Sequence, residues 1–156
     1  MYRNAILSPC RNYRYSLTRE WGSGLAVLFV GLNPSTADET TDDPTIRRCV
    51  AFARGWGYAR LYMANLFAYR ATNPKDLIDA DDPIGADNDQ HLIALANGSA
   101  LTIAAWGVHG TYRERDRKVR KMLPRLHYLR LTKEGHPGHP LYLPKNLSPV
   151  LWNIEA

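Results

Sequence analysis

The chain has 156 residues, 45% of them apolar and 22% charged, values that suit one globular domain over residues 1–156 and exclude a disordered or fibrous chain. Two cysteines without a signal-peptide pattern speak against a disulfide framework and for a reducing cytoplasm. No apolar run reaches the roughly 20 residues that a membrane span needs. The net charge of +5 is unevenly spread: residues 1–30 carry four basic and one acidic side chain, residues 31–90 six and ten, and residues 91–156 ten and four. Basic ends around an acidic middle can attract a polyanion.

From the N-terminus, Asn4–Pro9 and Tyr13–Arg19 are short and partly aromatic or β-branched, with Pro9 and Asn12 between them. They predict an irregular hairpin laid against the main domain. Leu25–Leu32 is an apolar run without alternation, the pattern of a strand covered on both faces. It stops at Asn33-Pro34, because proline lacks a ladder donor. Asp43 then suits a helix N-cap and Pro44 the first helical position, and Ile46, Cys49, Val50, Ala53 and Trp56 recur at helical spacing. Arg60–Phe67 reads as a second buried strand, followed by a loop through Asn73-Pro74 and the acidic run Asp79–Asp82.

Asp87 and Gln90 have capping-box spacing before Leu92, Ile93, Leu95 and Ala96, and Gly98 closes that helix. Leu101–Trp106 is the third strand. Thr111 and Glu114 form a second box that opens a helix to about Leu123, with Tyr112, Val119 and Leu123 on its apolar side. Arg113, Arg117, Arg120 and Lys121 make a basic stripe beside that face and are candidate nucleic-acid contacts, as are Arg47 and Arg48. Leu126–Leu131 is the fourth strand. Strands alternating with helices predict right-handed crossovers and a three-layer α/β/α fold around a four-stranded, mainly parallel sheet.

In such a sheet ligands gather beyond the carboxyl ends of the strands. That rule collects Asn33, Pro34, Ser35, Thr36 and Asp38 after the first strand, Asn65 and Phe67 at the second, Trp106 and Gly107 at the third, and His136 and His139 after the fourth. An asparagine amide can orient a water or a planar amide, and a histidine can donate to a developing anion. Asp38 and Asp43 are the nearest candidate bases. Gly31–Thr36 lacks the lysine and further glycines of a phosphate loop, and no dinucleotide fingerprint follows the first strand, so no cofactor is expected. His136 and His139 flank a proline and lack a third ligand, so no metal is expected either.

Two resemblances rest on these residues. Tyr13-Arg14-Tyr15, Gly31–Asp38, Asp43–Cys49, Gly57-Tyr58, Asn65–Phe67, Trp106-Gly107 and His139–Tyr142 together closely resemble the bacterial and phage domain of unknown function number 1643. More distantly, Gly31-Leu32-Asn33-Pro34 resembles the first motif of the uracil-DNA glycosylase superfamily. Asn65 resembles its base-reading asparagine, and His136-Pro137-Gly138 or His139-Pro140-Leu141 resembles its second catalytic motif. That resemblance implies the strand order 2-1-3-4, a water held by Asn33, a histidine facing the leaving base, and Phe67 or Trp106 as the stacking ring. The expected function is a nucleic-acid or nucleotide processing enzyme that hydrolyses an N-glycosidic bond of a flipped base. The alternative is a non-catalytic nucleic-acid or nucleotide-binding domain of the same fold. DNA, RNA and free nucleotide all remain open as partners, and no oligomeric state is implied.

Overall fold

The apolar run after Leu25 forms the middle of a sheet. In the computed structural model, which describes residues 1–152, Ala26–Gly31 (β3) is buried along its whole length. Val27 and Phe29 point to one face and Leu28 and Val30 to the other, which is why the run shows no alternation. Arg60–Asn65 (β4) and Leu101–Ala104 (β5) flank β3 in parallel, and His127–Tyr128 (β6) lies parallel beside β5.

The expected four-stranded sheet of order 2-1-3-4 is overturned by three further strands. The sheet has seven strands in mixed directions, in the order β1-β2-β4-β3-β5-β6-β7, where β1 is Tyr2–Leu7, β2 is Arg14–Glu20 and β7 is Val150–Leu151. The N-terminal hairpin does not lie against this sheet but joins it, β2 pairing antiparallel with β4 from Leu17↔Met63 to Glu20↔Arg60. Its sequence hides this because Arg14 and Ser16 on one face and Arg19 on the other look solvent-facing, yet all three are buried. Arg19 is satisfied by the Asp42 carboxylate at 2.7 Å and by the carbonyls of Asn4, Thr18, Asp38 and Thr41.

Pro44–Gly55 (α1) begins where the capping residues place it, with Asp43 accepting from the Ile46 N–H at 2.9 Å. Its buried side chains Ile46, Cys49, Phe52 and Ala53 cover the Val27–Phe29 face, and the Trp56 ring stacks on Phe29 and Phe52. Pro74–Asp79 (α2), Asn88–Asn97 (α3) and Arg115–Met122 (α4) cover the other face through Leu77, Leu92 and Val119. The short α2 falls where a loop was expected. Asp87 makes no side-chain cap to α3, so that capping box does not form.

The helix expected from Thr111 is broken. Val108–Glu114 is a 3-10 segment, and Arg113 and Glu114 both adopt left-handed backbone before α4 starts. The fourth strand shrinks from Leu126–Leu131 to two residues. Residues 153–156 of the expected domain lie outside the described residues. Among the described residues no helix is long and apolar enough to cross a membrane.

Candidate functional site

Loops 32–43 and 105–114 leave the neighbouring strands β3 and β5 toward opposite faces of the sheet, since α1 and α4 pack on opposite sides. A crevice opens where neighbouring loops part in this way. Two hollows lie there, and Leu32 and Asn33 line both.

The first is a cavity of about 310 Å³ walled by Leu32, Ala71, Pro74, Leu77 and Ile78, with Tyr112 and His109 on the β5 side and Asn33, Asn73 and Thr111 as polar groups. The left-handed pair at Arg113 and Glu114 ends the 3-10 segment that carries Tyr112. The Tyr112 ring leans on buried Phe67 at 5.5 Å, and the Arg113 guanidinium lies over its ring. A mostly apolar hollow with a few convergent polar groups and an aromatic wall is the usual make-up of a small-molecule site.

The second is a polar chamber of about 120 Å³. Asn33, Pro34 and Ser35 come from the β3 loop, Asp43 and Thr45 from the start of α1, Asn65 from the end of β4 and His139 from the last loop. Arg14 reaches it from β2. Gly31 makes the approach possible, because a Cβ there would lie 2.8 Å from Met63 Cε and 3.0 Å from Asn65 Nδ2. Arg14 donates to Asn65 Oδ1 at 3.3 Å and to the Ala37 carbonyl at 3.1 Å, which leaves the Asn65 amide hydrogens turned from Arg14.

Burial pulls the Arg14 guanidinium down to about 10, with Asp43 opposing the shift, so it remains charged at neutral pH. The other buried arginines, Arg19 and Arg115, have carboxylates at 2.7 and 2.5 Å. Among the described residues Arg14 has none within salt-bridge distance, and its Nε has no partner.

His139 accepts the Leu141 N–H at Nδ1, which places the proton of the neutral ring on Nε2. Burial holds it below the ordinary histidine value, partly offset by Asp43. Arg48 fixes this loop by donating to the Pro140 and Leu143 carbonyls while its guanidinium lies over Phe52. Arg48 is thus a strut, and Arg47 points outward beside the Asp42 carbonyl. Asn33 donates its amide to Ala71 O at 2.7 Å and to Pro34 O at 3.1 Å, which ties the β3 loop to the chain after β4 and leaves Oδ1 as its free polar atom.

The remaining candidates stand elsewhere. Asp38 accepts from the N–H groups of Thr40 and Thr41, bonds that hold it below the usual carboxylate range and lock its own loop. Thr36 lines neither hollow and faces a groove that adjoins the first. His136 is held in a turn by two bonds to Thr132 and lines neither hollow. Phe67 and Trp106 are core side chains, 0% and 2% exposed, and neither offers a face for stacking. Gly107 donates to Pro137 O at 2.8 Å, joining the β5 loop to the histidine loop.

The basic stripe is interrupted. Arg113 precedes the helix, Arg117 pairs with Glu114, and Arg120 lays its guanidinium 3.7 Å from the centre of the Trp152 ring, leaving Lys121 free on the surface. Sequence reasoning missed Arg14 as a lining residue, and it missed Tyr112 as a cavity wall by assigning it to a helix core. Among the described residues no cluster of His, Cys, Asp or Glu could hold a metal.

The family of proteins of unknown function DUF1643 matches residues 14–141. The chain belongs to that family. The match takes in every residue that lines the polar chamber of this DUF1643 domain. No curated protein and no solved structure matches the chain. The glycosylase resemblance gains nothing from these comparisons, and the mixed seven-stranded sheet departs from the fold it implied. The glycosylase-like fold and the hydrolase assignment that came with it are therefore withdrawn.

Proposed function

We propose that this DUF1643 domain binds a nucleotide, free or within a strand, at the carboxyl edge of its sheet. The observation that carries this reading is the cavity of about 310 Å³ beside β3 and β5, apolar on most sides and walled by the Tyr112 ring. A base needs a flat apolar slot with an aromatic neighbour and a few edge partners, and Asn73, Thr111 and His109 supply the latter. Arg113 follows that wall residue directly along the chain, where it favours a phosphate-bearing ligand.

The test is calorimetric titration with the four ribonucleosides and their 5′-monophosphates, beside a fluorescence titration with short single strands at several salt concentrations. Millimolar or tighter binding that Tyr112→Ala weakens by about tenfold supports the reading. Its absence for every ligand refutes it. The meeting of Asn33, Asn65 and His139 on the polar chamber favours a second reading, in which a bound nucleotide is processed there. Product analysis after prolonged incubation with the binding nucleotide, using wild type and His139→Asn, separates that reading from binding alone.

A further inference from the structure

A third depression continues from the cavity across Ala71 and Thr72. It is a groove of about 350 Å³, and its polar residues are Arg11, Asn12, Arg70, Ser35, Thr36, Thr72 and Asp76. Arg70 is the unusual member. Its guanidinium donates to the carbonyls of Ser35, Arg11 and Thr36 at 3.4, 3.3 and 3.5 Å, contacts long enough to orient it and too long to be strong. Among the described residues no carboxylate lies within 4 Å of it, whereas the neighbouring Arg11 is paired with Glu39 at 2.6 Å. The backbone of Arg70 is fixed as well, donating to Asn12 O at 2.8 Å, and the next residue, Ala71, donates to Pro34 O at 3.0 Å. A planar cation is thus held between three loops beside hydroxyl donors, with no carboxylate in ion-pair contact, and Asp38 meets its charge only from farther off.

We infer that this groove is a phosphate subsite, taking the phosphomonoester of a nucleotide whose base lies in the adjoining cavity. The inference rests on the nucleotide-binding reading and names the part of the ligand that reading leaves open. A guanidinium fork and hydroxyls match the oxygens of a phosphoryl group, and charge-assisted bonds of this kind are the strong ones. The groove also limits the charge it takes. Arg11 is neutralised by Glu39, and Asp76 stands on the groove wall, so one unpaired cation serves one phosphoryl group. Further phosphates of a di- or triphosphate meet no additional cation there and gain nothing.

The test compares each nucleoside with its 5′-monophosphate and 5′-triphosphate by calorimetry, on wild type, Arg70→Gln and Arg70→Lys. In a parallel arm, a 5′-phosphorylated dinucleotide is set against the unphosphorylated one, to tell a free nucleotide from a strand end. Wild type is expected to bind the monophosphate about tenfold or more tighter than the nucleoside, with no further gain for the triphosphate. Arg70→Gln should remove that increment while leaving nucleoside affinity within about twofold, and Arg70→Lys should keep part of it. Equal affinity of wild type for nucleoside and monophosphate overturns the subsite while the nucleotide reading stands. An increment that survives Arg70→Gln in a folded variant overturns it too. No binding of any nucleoside or nucleotide removes both.

Discussion

Asn33 offers the sharpest test of what the polar edge of the site is for, and the structure reverses the order of effects that a water-orienting role would give. Its amide donates to Ala71 O at 2.7 Å and to Pro34 O at 3.1 Å, so the side chain is a clamp between the β3 loop and the segment after β4. Asn33→Ala removes one good neutral hydrogen bond and one weaker one. A net loss of about 1–1.5 kcal/mol follows, because the half-exposed site lets water reach part of what is freed. For a chain of this length that lowers Tm by roughly 2–6 °C.

Asn33→Asp keeps the size but sets a carboxylate against a carbonyl at the same spacing. It loses the bonds and adds repulsion, so about 2–3 kcal/mol and a correspondingly larger fall in Tm are expected. Protonation would restore a donor, so the deficit of the aspartate variant should shrink as pH falls through the carboxylate range, while that of the alanine variant should not. Thermal melts of the three proteins between about pH 7 and pH 4 measure this. An aspartate variant as stable as wild type at neutral pH would refute the clamp and return Asn33 to a free, water-facing role.

Three further outcomes follow from the same geometry. Arg48→Ala should cost about 1–3 kcal/mol and loosen the His139 loop, seen as faster amide exchange at Leu141–Leu143, because the carbonyls of Pro140 and Leu143 lose their donor. Gly110→Ala should destabilise by about 1–3 kcal/mol in denaturant titration, since a Cβ at that position runs into the Trp106 ring. His139 has a folded value below its ordinary one of about 6.5, so the unfolded chain binds the proton first. Stability should therefore be full above that value and fall as pH drops toward the folded value, and His139→Asn should flatten this slope in melts between about pH 7 and pH 5.

The sheet centre was legible because burial on both faces leaves an unbroken apolar run, and β3 and β4 have one each. The same rule hid the place of β2 in the sheet, although its segment reads as half of a hairpin. Its arginines are buried, but each draws on partners more than ten residues away, such as Asp42 for Arg19 and Asn65 for Arg14, which no local pattern announces. Helix α2 was missed for a different reason: six residues with Leu77 as the buried one carry no period to read. The two-residue β6 was overestimated because Leu129 packs into the core from irregular chain, so apolar character there marked burial and not a strand.

For the site, the strand-end rule brought Asn33, Asn65 and His139 to one edge from sequence positions far apart, because topology alone decides which loops emerge together. What it could not supply was the part each would play. Asn33 spends its amide on backbone, Asp38 its carboxylate on its own turn, and Arg48 its donors on the histidine loop. Each is a polar residue at a ligand-bearing edge whose donors or acceptors are already committed. The groups left short of partners are the Arg14 Nε, the Arg70 guanidinium with its three long contacts, and the part of the Tyr112 ring that lines the cavity, and none belongs to a recognisable motif. A ligand gains most from groups that the fold has positioned without satisfying, since pairing them costs no protein–protein bond. That criterion moves the weight of the site from the asparagines to the arginines and the tyrosine.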